Sequence, residues 1–147
     1  MKVFVHDLDR DIWRRLNLRL DVPDIVIDSD NGRDINEYMC ECSQLVLISR
    51  CVYGGFSPFI QGVLEKYRAC FGPLLELRHG QTHYEVRRKN IFGMICCFYG
   101  EDITPEEEEA ARILSVSSGI SLRARGVKIL FCDKIEKLKL LKGECGV

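Results

Sequence analysis

The sequence predicts one three-layer α/β domain, with a five-stranded parallel sheet in the order 2-1-3-4-5 and helices on both faces. Three observations predict it. Short apolar runs alternate with segments of helical period along the chain. Two of the runs, 45–49 and 91–100, are almost continuously apolar, as strands covered on both faces are. A length of 147 residues suits one domain with a substantial core.

Each element has its own warrant. Lys2–His6 (KVFVH) is short, β-branched and aromatic, and reads as the first strand. In DLDRDIWRRLNLRL, residues Leu8, Ile12, Trp13, Leu16 and Leu20 recur at helical spacing, and Pro23 ends that helix. Asp24–Asp30 (DIVIDSD) is a second strand, closed by the turn signal Asn31-Gly32. RDINEYMCECSQ reads as a helix with Ile35, Tyr38, Met39 and Cys42 on one face. Leu45–Ser49 is the central third strand.

Ser57-Pro58 opens the next helix, serine as cap and proline at the first helical position, and Ile60, Val63, Leu64 and Tyr67 follow at helical spacing. Residues 71–90 lack a clean period and carry much charge, so they read as an excursion with a short hairpin. Ile91–Gly100 is the fourth strand. TPEEEEAARIL carries a capping box, with Thr104 as cap, Pro105 first and Glu107 reaching back. Glu106, Glu108 and Glu109 suit the positive end of that helix, which is expected to run to Arg125 and end at Gly126. VKILFCD is the last strand, and 134–147 reads as an extended lysine-rich tail with a weak stripe of Ile135, Leu138 and Leu141.

Composition narrows the function classes. Hydrophobic residues make up 46% and charged residues 29%, with a formal net charge of -1. Such a balance does not suit a nucleic-acid protein. No run reaches the roughly 20 apolar residues of a membrane span, and no apolar signal core precedes the charges that begin at Asp7, so the chain reads as cytoplasmic. The eight cysteines then default to reduced thiols. Cys40 and Cys42 have the wrong spacing for a zinc knuckle, and the neighbours Cys96 and Cys97 must face opposite sides of a strand, so no metal is expected.

In this topology the ligand crevice lies outside the carboxyl ends of strands 1 and 3. Those ends are HDLDRD and SRCVYGGFS, the two least ordinary stretches of the chain. The second, with the helices around it, resembles the flavodoxin-like superfamily, specifically the NADPH-dependent FMN reductases. Its matching features are Ser49, Tyr53, Gly54, Gly55, Ser57 and the acid-base pair Glu65-Lys66.

The resemblance implies a flavin-associated oxidoreductase that uses FMN as cofactor and NADPH or NADH as electron donor. It implies that Ser49, Arg50, Cys51, Val52, Tyr53, Gly54, Gly55, Phe56 and Ser57 lie against the flavin ring, with backbone N–H groups bonding it. Tyr53 or Phe56 would cover a ring face, and Tyr99, Gly100 and Glu101 would line the same pocket. A homodimer with the pocket at its interface, or pairing with a related flavin protein, is implied as well. Valine at Gly54 and Gly55 is expected to abolish ring binding and leave the fold mostly intact.

One stretch departs from the family. His6-Asp7-Leu8-Asp9-Arg10-Asp11 stands where the resemblance puts a Ser-, Thr- and Gly-rich phosphate loop. A carboxylate about 5 Å from a phosphate costs roughly 3 kcal/mol at an effective dielectric near 20. FMN should therefore bind weakly, or the ligand is free flavin or another planar molecule. The alternative is a cofactor-free binding or assembly subunit.

Other motifs have bland readings. Asp7, Asp9 and Asp11 could hold magnesium, but read better as a solvated first helical turn. His79 and His83 lie four apart around a glycine in the excursion, which suits a solvated or core-edge role. Cys51, beside Arg50 and near a helix N-terminus, is a candidate reactive thiol with a lowered pKa. The tail lysines read as a solvated face.

Overall fold

A computed structural model describes residues 1–18, 23–69 and 91–140. Five parallel strands run β1 Lys2–His6, β2 Ile25–Ile27, β3 Gln44–Arg50, β4 Gly93–Tyr99 and β5 Val127–Cys132. Their order across the sheet is β2-β1-β3-β4-β5, the flavodoxin-like arrangement expected. Val3 lies beside both Ile25 and Leu45, Leu47 beside Cys96, and Cys96 beside Ile129.

Alternation along each strand builds two cores. Val3, Val5, Leu45, Leu47, Met94, Cys96 and Phe98 face α2 (Pro58–Ala69) and α3 (Pro105–Leu122). Phe4, Val46, Ile48, Ile95 and Cys97 face the other way, toward α1 (Arg10–Leu16) and a 3-10 helix, Ile135–Leu140. Cys96 and Cys97 thus lie on opposite faces of the sheet, as the strand period requires. Burial pushes the Cys96 thiol up to about 12 and the Cys42 thiol up to about 11. Cys42, Cys96, Cys97 and Cys132 are buried, Cys51 is half-buried and Cys40 is exposed.

The capping box of α3 forms as read: Thr104 Oγ1 accepts the Glu107 N–H at 3.1 Å and Glu107 Oε1 accepts the Thr104 N–H at 3.1 Å. The far end differs. α3 stops at Leu122, and Arg123 takes the left-handed conformation at φ 65, three residues before Gly126. Gly119 explains why the helix sits so low on the sheet. A Cβ there would lie 2.2 Å from Val127 Cγ2, so only glycine lets α3 cross β5 at this distance.

Two other expectations are corrected. α1 ends at Asn17, left-handed at φ 47 with its N–H on the Arg14 carbonyl, well before Pro23; Leu20 lies outside the described residues. The segment read as a helix before β3 forms two single 3-10 turns, Ile35–Glu37 and Met39–Glu41. The Asp34 carboxylate accepts the Asn36 N–H at 3.0 Å, and Cys42 is already extended. Ile35, Met39 and Cys42 are buried as read, with Tyr38 packed beside them. At the start of the tail, Leu138 is fully buried and Ile135 packs beside it, on the α1 side. The 71–90 excursion with His79 and His83, Cys70, Cys145 and Leu141 lie outside the described residues.

Candidate functional site

The carboxyl ends of β1, β3 and β4 converge on one crevice, and Asp7 stands in its middle. One Asp7 oxygen accepts the Arg50 N–H at 2.8 Å; the other accepts the Tyr99 hydroxyl at 2.6 Å. Asp7 N–H reaches the Ile48 carbonyl at 3.3 Å. The residue after β1 is therefore fastened to the ends of β3 and β4. Burial and the Asp7 carboxylate push the Tyr99 phenol well above its ordinary range.

Two lobes open from this centre. A lobe of about 640 Å³ is lined by Asp7, Arg50, Cys51, Val52, Tyr53, Ser57, Pro58, Phe59, Tyr99 and Glu107. A second lobe of about 740 Å³ shares Arg50, Cys51, Tyr99 and Glu107 and continues over Gly100, Glu101, Asp102, Ile103, Asp133, Lys134, Ile135 and Glu136. Five carboxylates against Arg50 and Lys134 make the second lobe acidic. Beside it, the Cys97 thiol holds the Cys132 thiol below its usual range. Asp133 pairs with Lys137 at 2.7 Å.

The loop after β3 is a two-residue hairpin. Val52 N–H donates to the Gly55 carbonyl at 3.0 Å and Gly55 N–H donates to the Val52 carbonyl at 2.8 Å. Tyr53 and Gly54 have φ values of 51 and 80, both positive as a type I′ turn requires. Gly54 is packed against α3: a Cβ would lie 2.8 Å from Ala110 Cβ and 3.0 Å from the Glu107 carbonyl oxygen. Valine at Gly54 would therefore disturb the fold itself, contrary to the expectation that the fold tolerates it. The bare backbone serves the turn and the helix contact.

Eight of the residues that the sequence singles out line the crevice: Arg50, Cys51, Val52, Tyr53, Ser57, Tyr99, Gly100 and Glu101. Ser49, Gly54, Gly55 and Phe56 line neither lobe. Ser49 Oγ is buried and accepts the Ser57 N–H at 2.9 Å. Phe56 is in the core, stacked on Phe98 at 5.2 Å between centroids, which leaves Tyr53 as the loop's exposed aromatic. Cys51 is also corrected. Burial raises its thiol pKa first, and Glu107 and Glu108 raise it further, so the thiol is not activated.

Of the other candidates, Asp9 and Asp11 are exposed. Among the described residues no three His, Cys, Asp or Glu side chains gather as a metal site. Sequence reasoning missed Asp102, Ile103, Glu107, Pro58, Phe59 and the stretch Asp133–Glu136. The signal for the last was available: strand 5 lies beside strand 4, so its carboxyl-end loop must border the same crevice.

Behind Asp7 lies a buried histidine. His6 is fully buried, stacked on Trp13 at 4.3 Å, and its Nδ1 accepts the Leu8 N–H at 3.1 Å. The proton of the neutral ring therefore belongs on Nε2, 3.8 Å from an Asp28 oxygen. Burial lowers the His6 pKa, against the opposing pull of Asp28 and Asp7. No helix among the described residues is long and apolar enough to cross a membrane. No protein-family model matches this sequence, and no curated protein matches it significantly.

Proposed function

We propose that the crevice takes a flat aromatic ring of the flavin kind, and that the chain serves NAD(P)H-dependent flavin oxidoreduction. The observation behind this reading is the pair of tyrosines on the smaller lobe. Tyr53 is 93% exposed and held at φ 51, while Tyr99 lies across the same space. The type I′ turn accounts for the positive φ, but packing within the chain does not account for so large an aromatic left in solvent at its tip. Stacking on a planar ligand does, and about 640 Å³ is an ordinary volume for such a site.

The flavin would supply the hydride chemistry; the protein's share is binding and orientation. Tyr53 and Tyr99 would flank the ring, with Val52 and Phe59 as apolar wall. Asp7 would repel the anionic end of a flavin nucleotide, so the ring carries the affinity and unphosphorylated flavin is preferred to FMN.

A second reading, a cofactor-free binding or assembly subunit, is favoured by a different observation. The N–H groups of Arg50, Cys51, Val52, Gly55 and Ser57 already have acceptors within the protein. Few are left to bond ring carbonyls. The test is a fluorescence titration of the full chain with riboflavin and with FMN, followed by NADPH and NADH oxidation assays. Saturable quenching, reached at lower concentration with riboflavin, supports the flavin reading. Unchanged fluorescence with both ligands supports the cofactor-free one.

A further inference from the structure

Two thiols on the α1 side of the sheet, Cys97 and Cys132, line neither lobe of the crevice. β4 and β5 pair in parallel, with Cys97 opposite Leu130 and Tyr99 opposite Cys132. Cys132 therefore stands two residues further along than Cys97, and the strand period turns both side chains to one face. Both belong to the core that packs on α1 and the 3-10 helix Ile135–Leu140. The Cys97 thiol hydrogen-bonds to Cys132 across the two strands.

The two thiols are not equivalent. Cys97 lies on an interior strand and is fully buried, whereas Cys132 is the last residue of the edge strand and keeps 9% of its surface. An oxidant therefore meets Cys132 first. The bond from Cys97 holds the Cys132 thiol down at about 7, against burial and Asp133, so a good part of it is thiolate at neutral pH. Strands about 4.8 Å apart and an offset of two residues, about 6.6 Å, set the two Cα atoms roughly 8 Å apart. A disulfide spans up to about 7 Å, so closure draws the end of β5 inward. Only β4 holds β5 in the sheet, and Asp133–Glu136, directly after it, border the larger lobe.

We propose that Cys97 and Cys132 form a peroxide-responsive dithiol whose reversible closure to a disulfide reshapes the larger lobe. The Cys132 thiolate attacks one oxygen of hydrogen peroxide. An S–O bond forms, the O–O bond breaks, and the departing hydroxide takes up a proton and leaves as water. The Cys97 sulfur then attacks the Cys132 sulfenic acid. An S–S bond forms, the S–O bond breaks, and the leaving hydroxide takes the Cys97 proton. Two thiols are oxidised and one peroxide is reduced, giving one disulfide and two waters. A bridge that needs the strand end to shift is strained, so an external dithiol reopens it. The inference does not rest on the flavin reading.

Peptide mapping of the full, folded chain tests it. The protein is treated with stoichiometric hydrogen peroxide, alkylated and digested without reduction. The expected result is a linked Cys97–Cys132 peptide that disappears after dithiothreitol. Cys132→Ser should abolish that linkage. Cys97→Ser keeps a hydroxyl donor but no resolving thiol, so it should leave a sulfenic acid at Cys132, captured as a dimedone adduct. Hydrogen exchange across residues 133–137 should differ between the oxidised and reduced wild type. A wild-type chain in which peroxide oxidises Cys40 but leaves Cys97 and Cys132 both alkylated overturns the proposal. So does a Cys132 that passes to sulfinic acid with no linkage, or a dimedone adduct found elsewhere than Cys132 in Cys97→Ser. Identical exchange in the two forms overturns the coupling to the lobe.

Discussion

The Tyr99 hydroxyl donates to an Asp7 oxygen at 2.6 Å, so the carboxyl ends of β4 and β1 are tied by a side-chain bond that spans β3 between them. The other Asp7 oxygen holds the β3 end through the Arg50 N–H at 2.8 Å. One carboxylate organises the whole switch point.

Tyr99→Phe removes the hydroxyl and keeps the ring. A hydrogen bond to a charged group contributes about 1.5–3 kcal/mol, and partial exposure of Tyr99 puts the loss at the lower end. Urea unfolding should show it. Alkaline difference spectra supply a second readout: Tyr99 should begin to ionise only above the ordinary tyrosine range, roughly pH 10. An ionisation of Tyr99 within that range would contradict the Asp7 contact.

Asp7→Asn keeps the shape and removes the charge. On the flavin reading, it should narrow the preference for riboflavin over FMN by up to about 100-fold, the factor that corresponds to one like-charge contact. The ratio of the two dissociation constants is the quantity to compare. An unchanged ratio would take Asp7 out of ligand discrimination.

His6 gives the protein an acid limit. Its folded pKa is lowered by burial, so the native state holds the neutral ring and the unfolded state binds the proton more readily. The stabilisation from the neutral ring is full above the unfolded value, roughly pH 6.5, and falls as the pH drops below it. The slope from this one group is at most about 1.4 kcal/mol per pH unit. Chemical denaturation at several pH values should show a smaller loss between neutral and mildly acidic pH in His6→Gln than in the wild type. Equal losses would exclude His6 as the titrating group.

Gly119→Ala sets a methyl against Val127 Cγ2, and overpacking of this kind costs about 1–3 kcal/mol. Val127→Ala should recover part of that cost. A double-mutant cycle with no coupling would mean that α3 moves away as a unit instead of meeting β5.

The strands were readable because burial on both faces leaves an unbroken apolar run. The core sides of β3 and β4 follow from that run and the strand period alone. Boundaries depend on less visible features. α3 ends at Leu122 because the chain turns left-handed at Arg123, although Gly126 is the residue that costs less in that conformation. At the site, the fold order was enough to bring Asp7, Arg50, Tyr53 and Tyr99 together. The use of the glycines was not legible. Gly54 answers to Ala110 and Glu107, which lie over fifty residues away in a helix whose height above the sheet is fixed by another glycine. Likewise, nothing in the local pattern separates Tyr53 from Phe56, yet one is in solvent and the other in the core.

Cys40 and Cys42 are two residues apart, one exposed and one buried. That spacing makes a built-in clock for local opening. A thiol reagent should modify Cys40 at once, while Cys42 must wait until the 3-10 turn lifts off the sheet. Cys96, sealed between α3 and the middle of the sheet, must wait until the domain comes apart. The labelling times of these three thiols would therefore rank surface, segment and whole-chain unfolding, with no labelling site engineered into the protein.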